Sequence, residues 1–465
     1  MDTDIGALTI IFTEFYYWLT VALMFLIHVG FCMYEVGASR AKHHMHTLLK
    51  NTMLIPLVTI TFFFFGWWIY FAFPNGPFIY QGQGLIEAPT AVPWSELMGP
   101  HLGGPPVSDA ITADDTAFWA RINGVFWAAF LLFSWTAASI VSGSVIERIQ
   151  KGGFWILAVL IGSVMWIIDA AWGWHWDGWM VKLLGYHDAY ASGVIHAVAG
   201  GFALGVLVVL GPRIGKFAAD GTPRDIRPHN PWLVCIGLFL IYTGFWGFYV
   251  ACNVPIISAG DIGSSGEIFT ATTIYLTPTT LSAITVNFLM SLSGGLLAGY
   301  MVSKGDAFWT YSGGLAGIIT ASAGNDLYYP YQALFIGAIG TVIAYKMHYW
   351  VERRFKVDDA LGAVAVHGYA GFWGLVIAGF VLWGHPSSGF EGYAPITPWG
   401  QFIGAIIMFW VLGFIPAWIM SKILHSVGML RIPREIEILG LDFGAMQEHA
   451  AADRDVAATE LEHSS

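Results

Sequence analysis

The chain has 465 residues, 56% of them hydrophobic and 16% aromatic, with only 11% charged and a formal net charge of −11. That balance lies far from a soluble globular average and marks a polytopic membrane protein. No nucleotide loop, nucleophile triad, haem motif or nucleic-acid signature accompanies it, and Cys32, Cys235 and Cys252 show neither a disulfide framework nor a zinc pattern.

Apolar runs near the bilayer-spanning length of about 20 residues fall at 13–36, 51–73, 118–145, 153–174, 189–211, 232–252, 273–302, 308–324, 330–351, 361–384 and 399–424. The expectation is an all-α membrane protein of eleven transmembrane helices over 1–425, followed by a polar cytoplasmic tail over 426–465. The first span follows Met1-Asp-Thr-Asp4, which lacks the basic start of a signal peptide, so it reads as a retained helix. It carries His28, an intramembrane histidine whose partner the sequence does not name. The turn Lys42-His43-His44-Met45-His46 lacks a recognisable zinc spacing and gives no metal site. After the second span, 74–117 is rich in Pro and Gly and reads as an outer loop cap. Trp166, Trp172, Trp174, Trp176 and Trp179 gather at the end of the fourth span. An interfacial aromatic belt is the default for such a cluster, and one or two of the rings could instead offer a cation–π face to a small ammonium-like ion.

Orientation follows from the basic residues. With the N-terminus outside, only Arg121 and Lys182 of the 20 Lys and Arg fall in outer loops. That asymmetry supports an odd number of spans and a cytoplasmic C-terminus. Glycine is abundant, with 55 residues and pairs such as Gly200-Gly201, Gly294-Gly295 and Gly313-Gly314, as expected where membrane helices approach closely.

Two distant stretches repeat one pattern: Asp188-Ala-Tyr-Ala-Ser-Gly-Val-Ile-His196-Ala-Val-Ala-Gly200 and Asp359-Ala-Leu-Gly-Ala-Val-Ala-Val-His367-Gly-Tyr-Ala-Gly371. A histidine within a span is costly and rare, so two in matched contexts point to a paired functional site. In the topology above their helices are antiparallel, as in an inverted five-helix repeat with an eleventh helix added. Eight helical residues rise about 12 Å, which places the two imidazoles within about 6 Å of each other in depth near the middle of a core of roughly 30 Å. A neutral imidazole donates at one nitrogen and accepts at the other, so such a pair suits a small polar solute or a proton relay. Packing between helices is the alternative use of a buried histidine. Asp359 reads as a helix N-cap, and Asp188 as an N-cap that also favours an approaching cation.

With these residues in place, the chain resembles the ammonium transporter (Amt/Mep/Rh) family. The matching stretches are Gly30 to Lys42 with Leu48-Leu-Lys-Asn51, Ser142-Gly-Ser-Val-Ile-Glu-Arg148, Asp188 to His196, Gly244-Phe-Trp-Gly-Phe248, Asp358-Asp359 to His367-Gly, and Arg431 to Asp442. The resemblance implies an eleven-helix homotrimer in the cell membrane with one pore per subunit and no cofactor. It assigns His196 and His367 as twin pore histidines, Phe133 and Phe248 as a gate, and Trp176, Phe133 and Asp188 to the outer recruitment of ammonium or methylammonium. Cys252 stands where the recruitment site usually has a hydroxyl, and Phe245 where bacterial transporters usually carry Trp. In the tail, Phe-Gly-Ala-Met-Gln-Glu-His449 replaces the usual His-Gly-Glu run, at the face where a PII-type signal protein would dock.

The first functional expectation is transport: ammonium is recruited, passes the gate, loses its proton and moves past the histidines. The alternative is a non-conducting ammonium receptor that signals through a partner; the lack of an output domain after residue 465 favours transport. A neutral-gas channel would lack the cation site, and a membrane enzyme would need a metal or nucleophile constellation that the sequence does not supply.

Overall fold

The computed structural model describes residues 2–77, 115–255, 271–275 and 277–443. Most of the expected cap over 74–117, and the tail beyond 443 with its departure from the family run, lie outside the described residues. Among the described residues, ten helices are long and apolar enough to cross a membrane: α1 (Ile11–Ala38), α2 (Ala41–Ala72), α3 (Gly124–Ser144), α4 (Lys151–Gly173), α5 (Ser192–Leu210), α6 (Pro231–Ala251), α7 (Leu281–Ser303), α9 (Pro330–Phe355), α10 (Val364–Val381) and α11 (Pro398–Ser426). Between α7 and α9 lies α8 (Ala307–Ala321), at the eighth expected span; its 15 residues rise about 22 Å, short of a full crossing.

Helices suit these segments because a backbone in hydrocarbon must satisfy its polar groups internally. Several begin on side-chain caps that take up orphan N–H groups. Asn230 accepts from the N–H groups of Trp232 and Leu233 at α6, Thr280 from Ala283 at α7, Asp306 from Trp309 at α8, and Thr397 from Gly400 at α11.

Helix α1 lies along α6, and α7, α8 and α9 pack together, while α5 contacts α3, α10 and α11. Small residues permit these approaches: a Cβ on Gly30 of α1 would stand 2.6 Å from the Gly237 carbonyl oxygen of α6. The most enclosed spans are α3, α5 and α10, which carry Phe133, His196 and His367. Large apolar side chains such as Trp232, Trp383, Trp399 and Met301 are exposed on the outside. That distribution, apolar both within and without, is the reverse of a soluble bundle and belongs to a multi-pass integral membrane protein.

The loops in which the charge asymmetry gathers basic residues meet at one end of the bundle. Arg40 pairs with Glu147, with its Nε 2.7 Å from Oε2, and Arg213 holds Asp358 through Nε and Nη2, each at 2.9 Å. Burial alone would push the Asp358 carboxyl up, but Arg213 and Arg148 outweigh it and hold it well below the usual carboxylate range. The tail closes on the same end: Asp442 accepts from the N–H groups of Met45 (2.9 Å) and His46 (3.0 Å), the His43 ring nitrogen accepts from Leu441 N, and Arg431 pairs with Glu437 at 2.8 Å. At the other end a three-stranded antiparallel sheet, Asn253–Pro255, Ala271–Thr273 and Pro278–Thr279, pairs Asn253 with Thr273 and Ala271 with Thr279.

Candidate functional site

Both Asp-x7-His stretches fold in the same way, and not as continuous α-helix. The third residue after each Asp has a left-handed backbone, Ala191 at φ 72° and Gly362 at φ 68°. The Asp side chain then accepts from the N–H groups five and six residues on: Gly193 (2.8 Å) and Val194 (2.9 Å) for Asp188, Val364 (2.9 Å) and Ala365 (3.3 Å) for Asp359. The histidines follow on π-helical turns, Ser192–Ala197 and Val364–Tyr369. The rise assumed for eight α-helical residues therefore does not apply; the common turn positions the two rings.

The turns bring the imidazoles together. His196 Nδ1 and His367 Nδ1 are 3.1 Å apart, both rings are buried, and their planes lie 30° from parallel. One Nδ1 donates and the other accepts, so one ring keeps an Nε2–H donor and the other a bare Nε2 acceptor. His196 Nε2 has no hydrogen-bond partner among the described residues. Glycine sets this closeness: a Cβ on Gly200 would lie 2.2 Å from Gly368 Cα, and one on Gly371 2.1 Å from the Ser192 carbonyl oxygen.

Above the pair the rings form a plug. Phe248 stacks on His196 at 5.6 Å between centroids, Phe245 stacks on both, and Phe133 meets Phe248 edge-on at 4.8 Å and 84°. Phe133 and Phe248 are fully buried. Below the pair, Phe31 lies 6.3 Å from the His367 ring, and a narrow space opens between α1, α3, α8 and the α10 turn.

The expected recruitment residues do not all converge. Trp174, and not Trp176, lies against Phe133, at 5.3 Å and 66°; its Nε1 donates to the Asp188 carbonyl oxygen at 2.7 Å. Trp176 lies tilted by 34° against His175 at 4.2 Å, meets Phe71 edge-on at 6.3 Å, and accepts at its carbonyl oxygen from Tyr393. Burial lowers the His175 imidazole to about 3, so it offers a neutral ring. Asp188 is wholly buried. Besides Gly193 and Val194, the Tyr186 hydroxyl (3.0 Å) donates to Oδ2, and Ser192 N (2.7 Å) donates to Oδ1. Cys252 is buried too, and its thiol turns back to donate to the Phe248 carbonyl oxygen at 3.3 Å.

Other groups emerge only in three dimensions. Tyr190 stacks on Tyr249 at 4.2 Å and 9°. His187 pairs with Asp326 at 3.1 Å; burial would lower its pKa, but Asp326 outweighs that and raises it above the ordinary imidazole value. His28 finds its partners in the Ser139 hydroxyl at 3.3 Å and the Trp135 ring at 5.0 Å. Among the described residues no group of three or more His, Cys, Asp or Glu is arranged to hold a metal ion.

Comparison with known proteins places the chain in a family. The model of the Ammonium Transporter Family matches residues 15–451. The chain is 32% identical to ammonium transporter Amt2 of Archaeoglobus fulgidus, over 92% of this chain and 85% of that one, and 26% identical to ammonium transporter Amt1 of Methanocaldococcus jannaschii, over 94% and 97%. In fold it resembles a solved structure titled Sensor Amt Protein, with a TM-score of 0.70 at 23% identity over 94% of this chain and 98% of that one. It also resembles Saccharomyces cerevisiae Mep2, with a TM-score of 0.66 at 16% identity over 91% and 88%. On its length, its matched segments and its overall similarity, the chain belongs to the ammonium transporter family.

Proposed function

We propose that the chain carries ammonium across the cell membrane through a path running past Phe133, Phe248, His196 and His367. The observation that carries this reading is the contact of the buried Phe133/Phe248 pair with a hydrogen-bonded pair of imidazoles, one of which keeps an unpartnered nitrogen. Aromatic faces attract a partly dehydrated ammonium ion. The same rings exclude water and larger ions, and the histidines beyond them accept the deprotonated species. Trp174 against Phe133 is the better-placed recruiting ring, while Asp188 acts by its charge and by shaping the turn.

The rest of the reading goes with this function. The protomer crosses the membrane eleven times, the eleventh crossing made by α8 together with the turns over 322–327 that follow it, with its N-terminus outside and its C-terminus in the cytoplasm. It assembles as a homotrimer in contact with lipid, and the end bearing the tail offers the docking face for a PII-type protein. The protein is a transporter and not an enzyme.

The test is to reconstitute the purified protein in liposomes on a supported membrane and apply an ammonium pulse. A sustained, concentration-dependent current is expected. A brief binding transient without flux, with an internal pH dye also silent, would overturn transport in favour of a receptor.

A further inference from the structure

Beneath the histidine pair, on α1, stands a carboxylate that the path described so far does not use. Glu35 is fully buried. Its Oε2 accepts from the Ser142 hydroxyl at 2.7 Å and lies 3.4 Å from Lys50 Nζ. Lys50, equally buried, also donates to the Ser142 carbonyl oxygen at 2.7 Å and sits 5.0 Å over the Phe154 ring. The Asn51 amide, which donates to Thr47 O at 3.5 Å, also approaches the carboxyl. The other oxygen, Oε1, has no hydrogen-bond partner among the described residues.

A buried carboxylate oxygen without a partner is costly, and one that persists calls for an explanation. Its surroundings supply one. Oε1 lies beside Gly143, where an added Cβ would stand 3.9 Å from it and 3.6 Å from Leu361 Cδ2. Gly143 and Leu361 both line the narrow space below His367, with Tyr34 and Ser312 on its other wall. No side chain at Gly143 stands between the oxygen and that space. The two donors on Oε2 meanwhile fix the carboxyl so that Oε1 keeps its direction.

We propose that Glu35 Oε1 is an inner binding station, accepting a hydrogen bond from the solute, as ammonia or as ammonium, after it leaves His367. This rests on the transport reading above. Both species are N–H donors, and an acceptor between the imidazoles and the cytoplasmic end shortens the stretch over which the solute has no polar partner. In Glu35→Gln the Lys50 and Ser142 donors claim the amide oxygen, so a donor NH2 group turns toward Gly143 in place of the acceptor, at nearly constant volume.

The experiment uses the full chain in liposomes and reads two signals: ammonium flux, and the infrared difference spectrum on adding ammonium. A carboxylate band that shifts with ammonium and vanishes in Glu35→Gln is expected, with flux lower by about tenfold, the scale of one hydrogen bond to a charged group. A bound-ammonium band beside it identifies the ion, and its absence identifies ammonia. Gly143→Ala adds only ordinary contacts and leaves the Glu35–Lys50 pair untouched, so it tests the site even where Glu35→Gln fails to assemble. It should cover Oε1 and suppress the same band. Flux in the wild type with no Glu35-dependent band overturns this station and leaves transport standing. The band without flux overturns transport and leaves the station standing.

Discussion

His196 and His367, 171 residues apart in sequence, share one hydrogen bond between their Nδ1 atoms at 3.1 Å. The bond requires the helices behind the rings to touch through backbone at Gly200 and Gly368, and it leaves an Nε2 free on His196. Replacing His196 with Ala removes the pair and empties the space beneath Phe248. Ammonium flux in liposomes should fall by about tenfold or lose its selectivity, on the scale of one lost charge-assisted contact. The variant should elute like the wild type on size exclusion. Unchanged selective flux would refute the path.

The tryptophans are separable. Trp174 lies against Phe133, whereas Trp176 lies tilted against His175. Trp174→Leu is expected to raise the ammonium concentration for half-maximal current by about fivefold or more, in the range of a lost cation–π contact of ~1 kcal/mol. Trp176→Leu should change it less than twofold on the same scale. A larger effect from Trp176 would return recruitment to that ring.

Cys252 tests whether the outer site depends on a free thiol. Its Sγ already donates to the Phe248 carbonyl oxygen, a bond that a serine hydroxyl can make at least as well. Cys252→Ser should therefore keep flux or strengthen recruitment in the current assay, and total loss would show that the sulfur itself matters.

Close packing gives a stability prediction. A Cβ at Gly200 would come within 2.2 Å of Gly368 Cα, and backbone on both sides cannot yield cheaply. Gly200→Ala should cost about 1–3 kcal/mol or more, seen as a lower inactivation temperature in detergent together with reduced flux. A variant as stable as the wild type would show that the two helices are free to part.

Acid should act through Asp358. Its folded carboxyl titrates below the ordinary value near 4 because Arg213 and Arg148 outweigh its burial. The pair therefore contributes stability that is fully present above that ordinary value and is lost as pH falls through the folded one. The inactivation temperature should drop on this acid limb. Asp358→Asn should be less stable at neutral pH, by about 3–5 kcal/mol for a broken buried pair, with a flatter acid limb. An equally steep limb would place the acid sensitivity elsewhere.

The repeated motif made the histidine pair legible in the sequence, because an Asp and a His at fixed spacing inside apolar runs have few other uses. The path between them was not legible. An α-helical rise was the natural assumption, whereas the chain uses a left-handed residue at Ala191 or Gly362 followed by a π turn. Counting back from Asp188 to a tryptophan likewise crosses a turn and the short helix Trp179–Leu184, so spacing alone does not say which indole faces Phe133. Helix α8 shows the limit of run length: its apolar stretch reads as a span, yet its helix stops at 15 residues. The contacts of Glu35, Lys50 and His28 depend on which helices touch, which hydropathy does not encode.

Asp188 takes Gly193 N, Val194 N and the Tyr186 hydroxyl on Oδ2 and Ser192 N on Oδ1, all from inside the protein. Wholly buried, it acts on an arriving ion in the proposed path at a distance, as a field without a bond. A field of that kind sorts by sign and not by species, so potassium and ammonium are drawn to the mouth alike. In the proposed path, telling them apart falls to the rings and imidazoles behind it, where a proton that can be given up distinguishes one cation from the other.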